Sequence, residues 1–249
     1  MEKITKAQVK LVKSLQVKKF RDELGLFVAE GEKCVSELQK AFELVHWYRE
    51  GENASRTEIE QMSGLRTPQG VIGVFRKHSI GDWRLEIGDL VLALDGVQDP
   101  GNLGTIIRTC DWFGVHDIVC SKDTADCYNP KVVQATMGAL ARVRVHYVDL
   151  VEWIEEYRIQ DTEYRPIYGT LLEGKDMYEV LRSEGVKVLR SEGIIVMGNE
   201  GNGISQEVRK LITHPIRIPS YPKNAETSES LNVSIATAIV LAEFRRTAD

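Results

Sequence analysis

The sequence predicts an α/β protein: a mostly parallel sheet with helices on both sides over residues 90–249, preceded by a smaller α/β unit at 1–77. Two observations carry this. From residue 90 onward, short and nearly continuous apolar runs recur: LVLALD at 90–95, DIVC at 117–120, VRVHYV at 143–148, PIYGTLL at 166–172, GIIVMG at 193–198 and PIRIP at 215–219. Such runs suit strands buried on both faces. Helical stretches at 103–113, 130–141, 149–158, 176–183 and 206–212 lie between them. Strand and helix alternation at this spacing builds a parallel sheet with crossover helices. Between the two units, HSIGDWRLEIGD at 78–89 mixes charges around two glycines without a clear period, and reads as a linker.

In the first unit, Thr5-Lys6-Ala7-Gln8 fits a capping box, so a helix starts at Lys6. Lys6, Lys10 and Lys13 then share one face, and Leu11 and Leu15 another. Residues 26–29 read as a strand and 32–40 as a helix. ELVHWYRE at 43–50 alternates as a strand, 57–62 is a short helix, and GVIGVFRK at 70–77 is a second apolar strand. At the far end, a short strand at 216–218 is stopped by Pro219. A polar loop follows, and Ser230-Leu231-Asn232-Val233-Ser234 opens a strongly apolar helix.

Hydrophobic content of 43% and charged content of 28% describe an ordinary globular chain. No run approaches the length of a membrane span, and MEKITKAQVK lacks an apolar signal-peptide core, so a cytoplasmic protein without membrane contact is expected. Cys34, Cys110, Cys120 and Cys127 form no C-x-x-C pair and the five histidines are scattered, so buried thiols are expected rather than a metal or disulfide framework. A net charge of −5 argues against holding nucleic acid by bulk charge alone. Yet the first 21 residues carry seven Lys and Arg against one Glu. Lys6, Lys10, Lys13, Lys18, Lys19 and Arg21 are therefore candidate RNA contacts, with plain solvation of a helix face as the alternative.

Three stretches carry candidate chemistry. In the first, Asp99-Pro100-Gly101-Asn102 turns directly after a buried strand into a helix, where a ligand would meet the helix N-terminus. Asn102 and Arg108 are nearly two turns apart on that helix and need a loop or bend to converge on one ligand. They also read as a helix cap and a surface ion-pair residue. In the second, Gly198-Asn199-Glu200-Gly201-Asn202-Gly203 follows a strand with spacing G-x-x-G-x-G. That is not the dinucleotide fingerprint, no Walker-type lysine follows, and the backbone must turn tightly or approach a ligand closely. In the third, Ser230 reads as a helix cap, Asn232 as a turn residue and Leu231 as core.

Together the three stretches resemble the motifs of the SpoU (TrmH-like) branch of the SPOUT superfamily. These are RNA ribose 2′-O-methyltransferases that use S-adenosylmethionine. The matching pieces are Asn102-Leu103-Gly104 with Arg108, Gly198-x-Glu200-Gly201-x-Gly203, and Ser230-Leu231-Asn232-Val233-Ser234. The N-terminal stretch is similar to the ribosomal-protein-like substrate-binding domain of that family through Lys19-Phe20-Arg21, Gly25-Leu26-Phe27, Glu30-Gly31 and Thr67-Pro68-Gln69-Gly70.

The resemblance implies a C-terminal deep trefoil knot, against the usual rule of unthreaded loops. It implies a cofactor held largely by the backbone of Thr170, Gly198, Ile218 and Leu231, and a homodimer formed through the catalytic domain. It implies catalysis by Arg108 with Asn102, Glu200, Ser230 and Asn232, without a metal. A guanidinium keeps its proton, so Arg108 suits a phosphate anchor that stabilises a developing alkoxide better than a literal base. The expected substrate is large-subunit ribosomal RNA. The alternatives are a tRNA 2′-O-methyltransferase and a non-catalytic RNA-binding assembly factor of the same fold; an intact Arg108, Asn232 and glycine loop disfavour the latter.

Overall fold

The computed structural model describes residues 4–78, 90–160, 165–182, 192–222 and 228–246, so all but His78 of the expected linker lies outside the described residues. The chain divides into two compact units, Met1–Trp83 with Asp126–Arg142, and Arg84–Ala125 with Val143–Asp249. The first unit opens with α1 (Lys6–Ser14), α2 (Lys18–Leu24), β1 (Leu26–Glu30), α3 (Glu32–Leu38), β2 (Leu44–Arg49), α4 (Arg56–Met62) and β3 (Val71–Arg76). The second contributes β4 (Leu90–Asp95), α5 (Pro100–Trp112) and β5 (Asp117–Ser121). Helix α6 (Pro130–Thr136) and a 3-10 turn (Ala139–Ala141) belong to the first unit. The second then continues with β6 (Arg144–Val148), α7 (Leu150–Gln160), β7 (Ile167–Asp176), α8 (Met177–Arg182), β8 (Gly193–Gly198), α9 (Gln206–Arg209), β9 (His214–Arg217) and α10 (Val233–Arg245).

The first unit is an antiparallel sheet in the order β1-β3-β2. The capping box at Thr5 forms, with Thr5 and Gln8 bonding reciprocally, and fixes the start of α1. Helix α2 is absent from the sequence reading; its one clear signal is Gly25, which ends it in the left-handed conformation at φ 62°. Side chains of β1 and β3 alternate between two cores. Val28 and Val74 join Val12, Leu15, Ile59 and Met62 in one. Phe27 and Phe75 face the other, where the Phe27 ring lies 5.1 Å from Phe42 and 4.8 Å from Tyr128. Tyr128 comes from the 126–142 stretch, so that stretch supplies core to this unit. The helix expected over 130–141 breaks at Met137 (φ 53°) and Gly138 (φ 92°). A Cβ at Gly138 would stand 2.5 Å from the Glu37 side chain, which is why a glycine sits at the break.

Arg21 corrects one expectation. It is 1% exposed, donates to Leu15 O at 2.9 Å, and donates Nε and Nη2 to Asp126 at 3.1 and 2.8 Å. A guanidinium enclosed and bonded in this way offers nothing to RNA. Lys6, Lys10, Lys13, Lys18 and Lys19 are exposed. Lys18 and Lys19 are paired with Asp22 and Glu23 at 3.2 and 3.8 Å, which leaves the α1 lysines as the less neutralised part of the stripe.

The second unit is a six-stranded sheet in the order β6-β5-β4-β8-β7-β9, and every strand pair is parallel. The chain steps outward from β4 through β5 to β6, then places β8 on the other side of β4. The ends of β4 and β8 therefore mark a reversal of strand order, where open α/β sheets bind ligands. Helix α10 buries Val233, Thr237, Val240, Leu241 and Phe244, an i, i+4, i+7, i+8, i+11 stripe. Phe244 meets Tyr168 of β7 edge-on with ring centroids 4.8 Å apart, and α10 packs along α5.

Candidate active site

All three chemistry-bearing stretches leave the carboxyl ends of strands in this unit: β4 leads to α5, β8 to α9 and β9 to α10. At the first, Asp99 caps α5 by accepting from Asn102 N at 2.8 Å, with Pro100 in the first turn. Asn102 is thus inside the helix and is not its cap, and its side-chain amide is free to bridge. Its Nδ2 donates to Glu200 Oε1 at 2.7 Å, and its Oδ1 accepts from Asn232 Nδ2 at 3.0 Å.

Asn232, rather than Ser230, caps α10. Its Oδ1 accepts from Ser234 N at 3.0 Å, Ile235 N at 3.3 Å and Ser234 Oγ at 2.6 Å. A continuous chain of hydrogen bonds therefore runs from Glu200 through Asn102 and Asn232 into the first turn of α10.

The glycine loop is folded onto itself. Asn199 and Gly203 exchange backbone hydrogen bonds at 2.9 Å each. A Cβ on Gly198 would lie 2.3 Å from the Gly203 carbonyl carbon, so no side chain fits there. Gly203 has φ +67°. Tight turning therefore accounts for these two glycines. Three residues not among the sequence candidates fix the two loops that leave β4 and β8. Asn199 Oδ1 accepts from Gly201 N and Asn202 N at 2.8 and 3.0 Å, and its Nδ2 donates to Gly96 O at 2.7 Å. Asp95 Oδ2 accepts from Ser205 N at 2.7 Å. The third, Asp99, is the cap of α5. The one available signal was an aspartate closing the otherwise apolar run LVLALD.

Arg108 is exposed on α5, on the face that also carries Thr105 and Trp112. The helix runs unbroken from Pro100 to Trp112, so no bend brings Arg108 back toward Asn102. It makes no hydrogen bond or ion pair to a described residue, and its guanidinium is available to a ligand. Ser230 is exposed, just outside the capped turn.

The four positions expected to hold the cofactor fall into two groups. Gly169 pairs with Val196 and Thr170 with Ile216, so Thr170 on β7, Gly198 at the end of β8 and Ile218 just past the end of β9 sit within two residues of one level. Neighbouring strands are about 4.8 Å apart, which makes one compact edge of these three. Leu231 comes from the approach to α10 and is 48% exposed. The β7–β9 register shifts between Thr170 and Lys175, both of which pair with Ile216, releasing the intervening backbone from the ladder. Leu172 lies within that released stretch and is 67% exposed.

A parallel sheet with candidate loops at the carboxyl ends of β4, β8 and β9, the first two at its reversal point, defines a class, and comparison with known proteins agrees. The SpoU rRNA Methylase family model matches residues 89–242 and an MRM3-like substrate binding domain matches 6–49. The chain belongs to the SpoU rRNA methylase family. It is 28% identical to the Bacillus subtilis 23S rRNA (guanosine(2553)-2′-O)-methyltransferase RlmP, over 98% of both chains. Among solved structures it is similar to a TrmH-family protein from Porphyromonas gingivalis, with 35% identity, a TM-score of 0.84 and 98% of each chain covered. It is also similar to the AdoMet-bound rRNA methyltransferase of Sinorhizobium meliloti, with 29% identity, a TM-score of 0.83, and 99% and 97% of the two chains covered.

Proposed function

We propose that this protein is an S-adenosylmethionine-dependent RNA 2′-O-ribose methyltransferase acting on large-subunit ribosomal RNA in the cytoplasm. The observation that carries the reading is the Glu200–Asn102–Asn232 chain of hydrogen bonds, which joins all three family motifs, with an unengaged arginine six residues further along the same helix as Asn102. Ribosomal RNA is favoured by the full-length match to RlmP and by the match of residues 6–49 to a substrate-binding domain.

S-adenosylmethionine supplies an electrophilic methyl group; Thr170, Gly198, Ile218 and Leu231 are the residues that would hold it. Arg108 anchors the phosphate next to the target ribose and stabilises negative charge growing on its 2′ oxygen. Asn102 and Asn232, locked to one another, fix the two helix starts around the ribose, and Glu200 holds Asn102 in place. Ser230, exposed and with its hydroxyl uncommitted, orients the ribose.

Lys6, Lys10 and Lys13 bind the RNA backbone outside the reacting centre. Trp112, Leu231 and Ile235 are 85%, 48% and 52% exposed, an apolar excess that a homodimer formed through this unit would cover. We read the β9–α10 segment as threaded into a trefoil knot. The support is the double pairing of Ile216 with β7, together with Gly174, where a Cβ would stand 2.5 Å from the Ile216 backbone.

The direct test is mass spectrometry of ribosomal RNA from cells with and without the gene, with methyl transfer reconstituted from purified protein. A missing ribose methyl in the deletion strain is expected. A methyl on a base, or on tRNA alone, would overturn the reading.

A further inference from the structure

We propose that the N-terminal unit contains a second RNA-reading site: a cavity that accepts one unstacked nucleobase. This rests on the reading of RNA as substrate. The cavity has a volume of about 200 Å³ and opens between the end of α1, strand β1, the loop after α4, and the start of α6.

Its chemistry is mixed in a way that suits a base. Glu30 lines it and is only 6% exposed. The carboxylate accepts from Ser63 Oγ on one oxygen and from Gly64 N at 2.7 Å on the other. Each oxygen therefore keeps lone-pair capacity for an N–H donor. The Gln16 side chain lies against Gly64, and its Nε2 is buried without a hydrogen-bond partner. A buried donor left unpaired is unfavourable, and rotation of the terminal amide, whose torsion is broad, turns it toward a ligand carbonyl or ring nitrogen. Val28, Leu65 and Pro130 supply apolar wall for the faces of a ring. Lys131 stands exposed at the rim, where it would meet a phosphate.

The buried carboxylate repels a phosphate from the cavity itself and favours a group bearing N–H. Nucleobase edges present an N–H donor beside an acceptor, matching Glu30 and Gln16 together, and sequence-reading proteins take unstacked RNA bases in this manner. The site is well separated in sequence from the three motifs, and none of its residues serves the methyl-transfer chemistry assigned above.

The test uses the full chain with carbon-13-labelled valine and leucine methyls, titrated with the four ribonucleoside 5′-monophosphates and with ribose 5-phosphate. Saturable shifts at Val28 and Leu65 with at least one nucleotide, and none with ribose 5-phosphate, are expected. Gln16→Leu should raise that Kd at least tenfold and Lys131→Glu several-fold, while S-adenosylmethionine titration is unchanged in both. Lys131 is exposed, so the second variant remains informative if the first fails to fold. Silent methyls, equal shifts with ribose 5-phosphate, or unchanged affinity in a folded Gln16→Leu would overturn the proposal. Failure of the wild type to bind S-adenosylmethionine would strike the enzymatic reading instead.

Discussion

Asn232 donates to Asn102 at 3.0 Å across 130 residues of sequence, and this single amide–amide contact ties the start of α10 to the start of α5. Each asparagine is also committed elsewhere, Asn102 to Glu200 and Asn232 to its own helix cap. Both amides are thereby held in one orientation by the fold itself, and groups held in this way need no reorganisation to meet a ligand.

Asn102→Asp should therefore be more harmful than Asn102→Ala. The aspartate keeps the shape but sets a second carboxylate against Glu200, where a donor now sits at 2.7 Å. Methyl transfer should fall at least tenfold below the alanine variant, with Tm nearly unchanged because the contact is solvent-exposed. Single-turnover kinetics with thermal melts checks this; equal rates for the two variants would remove Glu200 from the relay.

Arg108→Ala should abolish methyl transfer while S-adenosylmethionine still binds. Loss of a charge-stabilising group costs on the order of 3–4 kcal/mol, a hundredfold or more in rate. Arg108→Lys should rescue little, since a point charge does not reproduce the planar fork. Parallel calorimetry and turnover measurements decide it, and near-wild-type turnover of the alanine variant would refute the role.

At the edge proposed for the cofactor, Gly198→Val should abolish binding by driving a side chain into the Gly203 backbone at 2.3 Å. Leu231→Arg should abolish it too while leaving the fold intact, because Leu231 is 48% exposed. Titration calorimetry on the folded Leu231→Arg variant is the discriminating measurement, and unchanged affinity would place the cofactor elsewhere.

Asp126→Ala should destabilise the first unit by about 3–5 kcal/mol, since it strands a buried guanidinium. Asp126 accepts from Arg21 at 2.8 Å, and Arg21 is 1% exposed. Urea unfolding should show the loss, and replacing Arg21 with Met in the same chain should recover part of it.

Asp117 makes stability fall in acid. Burial pushes its carboxyl up, but hydrogen bonds and charge from Arg144 and His146 outweigh that and bring it from 3.8 down to about 2. A depressed folded value means that the contribution, on the order of 2 kcal/mol, is present above about pH 4 and is lost as pH falls toward 2. The stability gap between wild type and Asp117→Asn should narrow over that window in urea titrations.

The parallel sheet of the second unit was legible in the sequence. Buried parallel strands announce themselves as apolar runs because both faces are covered, and LVLALD and GIIVMG became β4 and β8 at the positions read. Local rules also captured the Thr5 capping box, since its partners lie three residues apart. The local rules misplaced other features. Ser230 looked like the cap of α10, but Asn232 holds that place, where its amide also reaches Asn102.

Arg21 looked like one more charge in a basic stripe, and only the fold brings Asp126 against it from 105 residues away. The membership of 126–142 in the first unit is likewise invisible in a linear pattern, because the strand–helix alternation of the second unit runs straight through it. Periodicity reports which face of an element is buried. It carries no information on which distant segment buries it, and that pairing, made by burial and directed hydrogen bonds together, was decided by the tertiary structure alone.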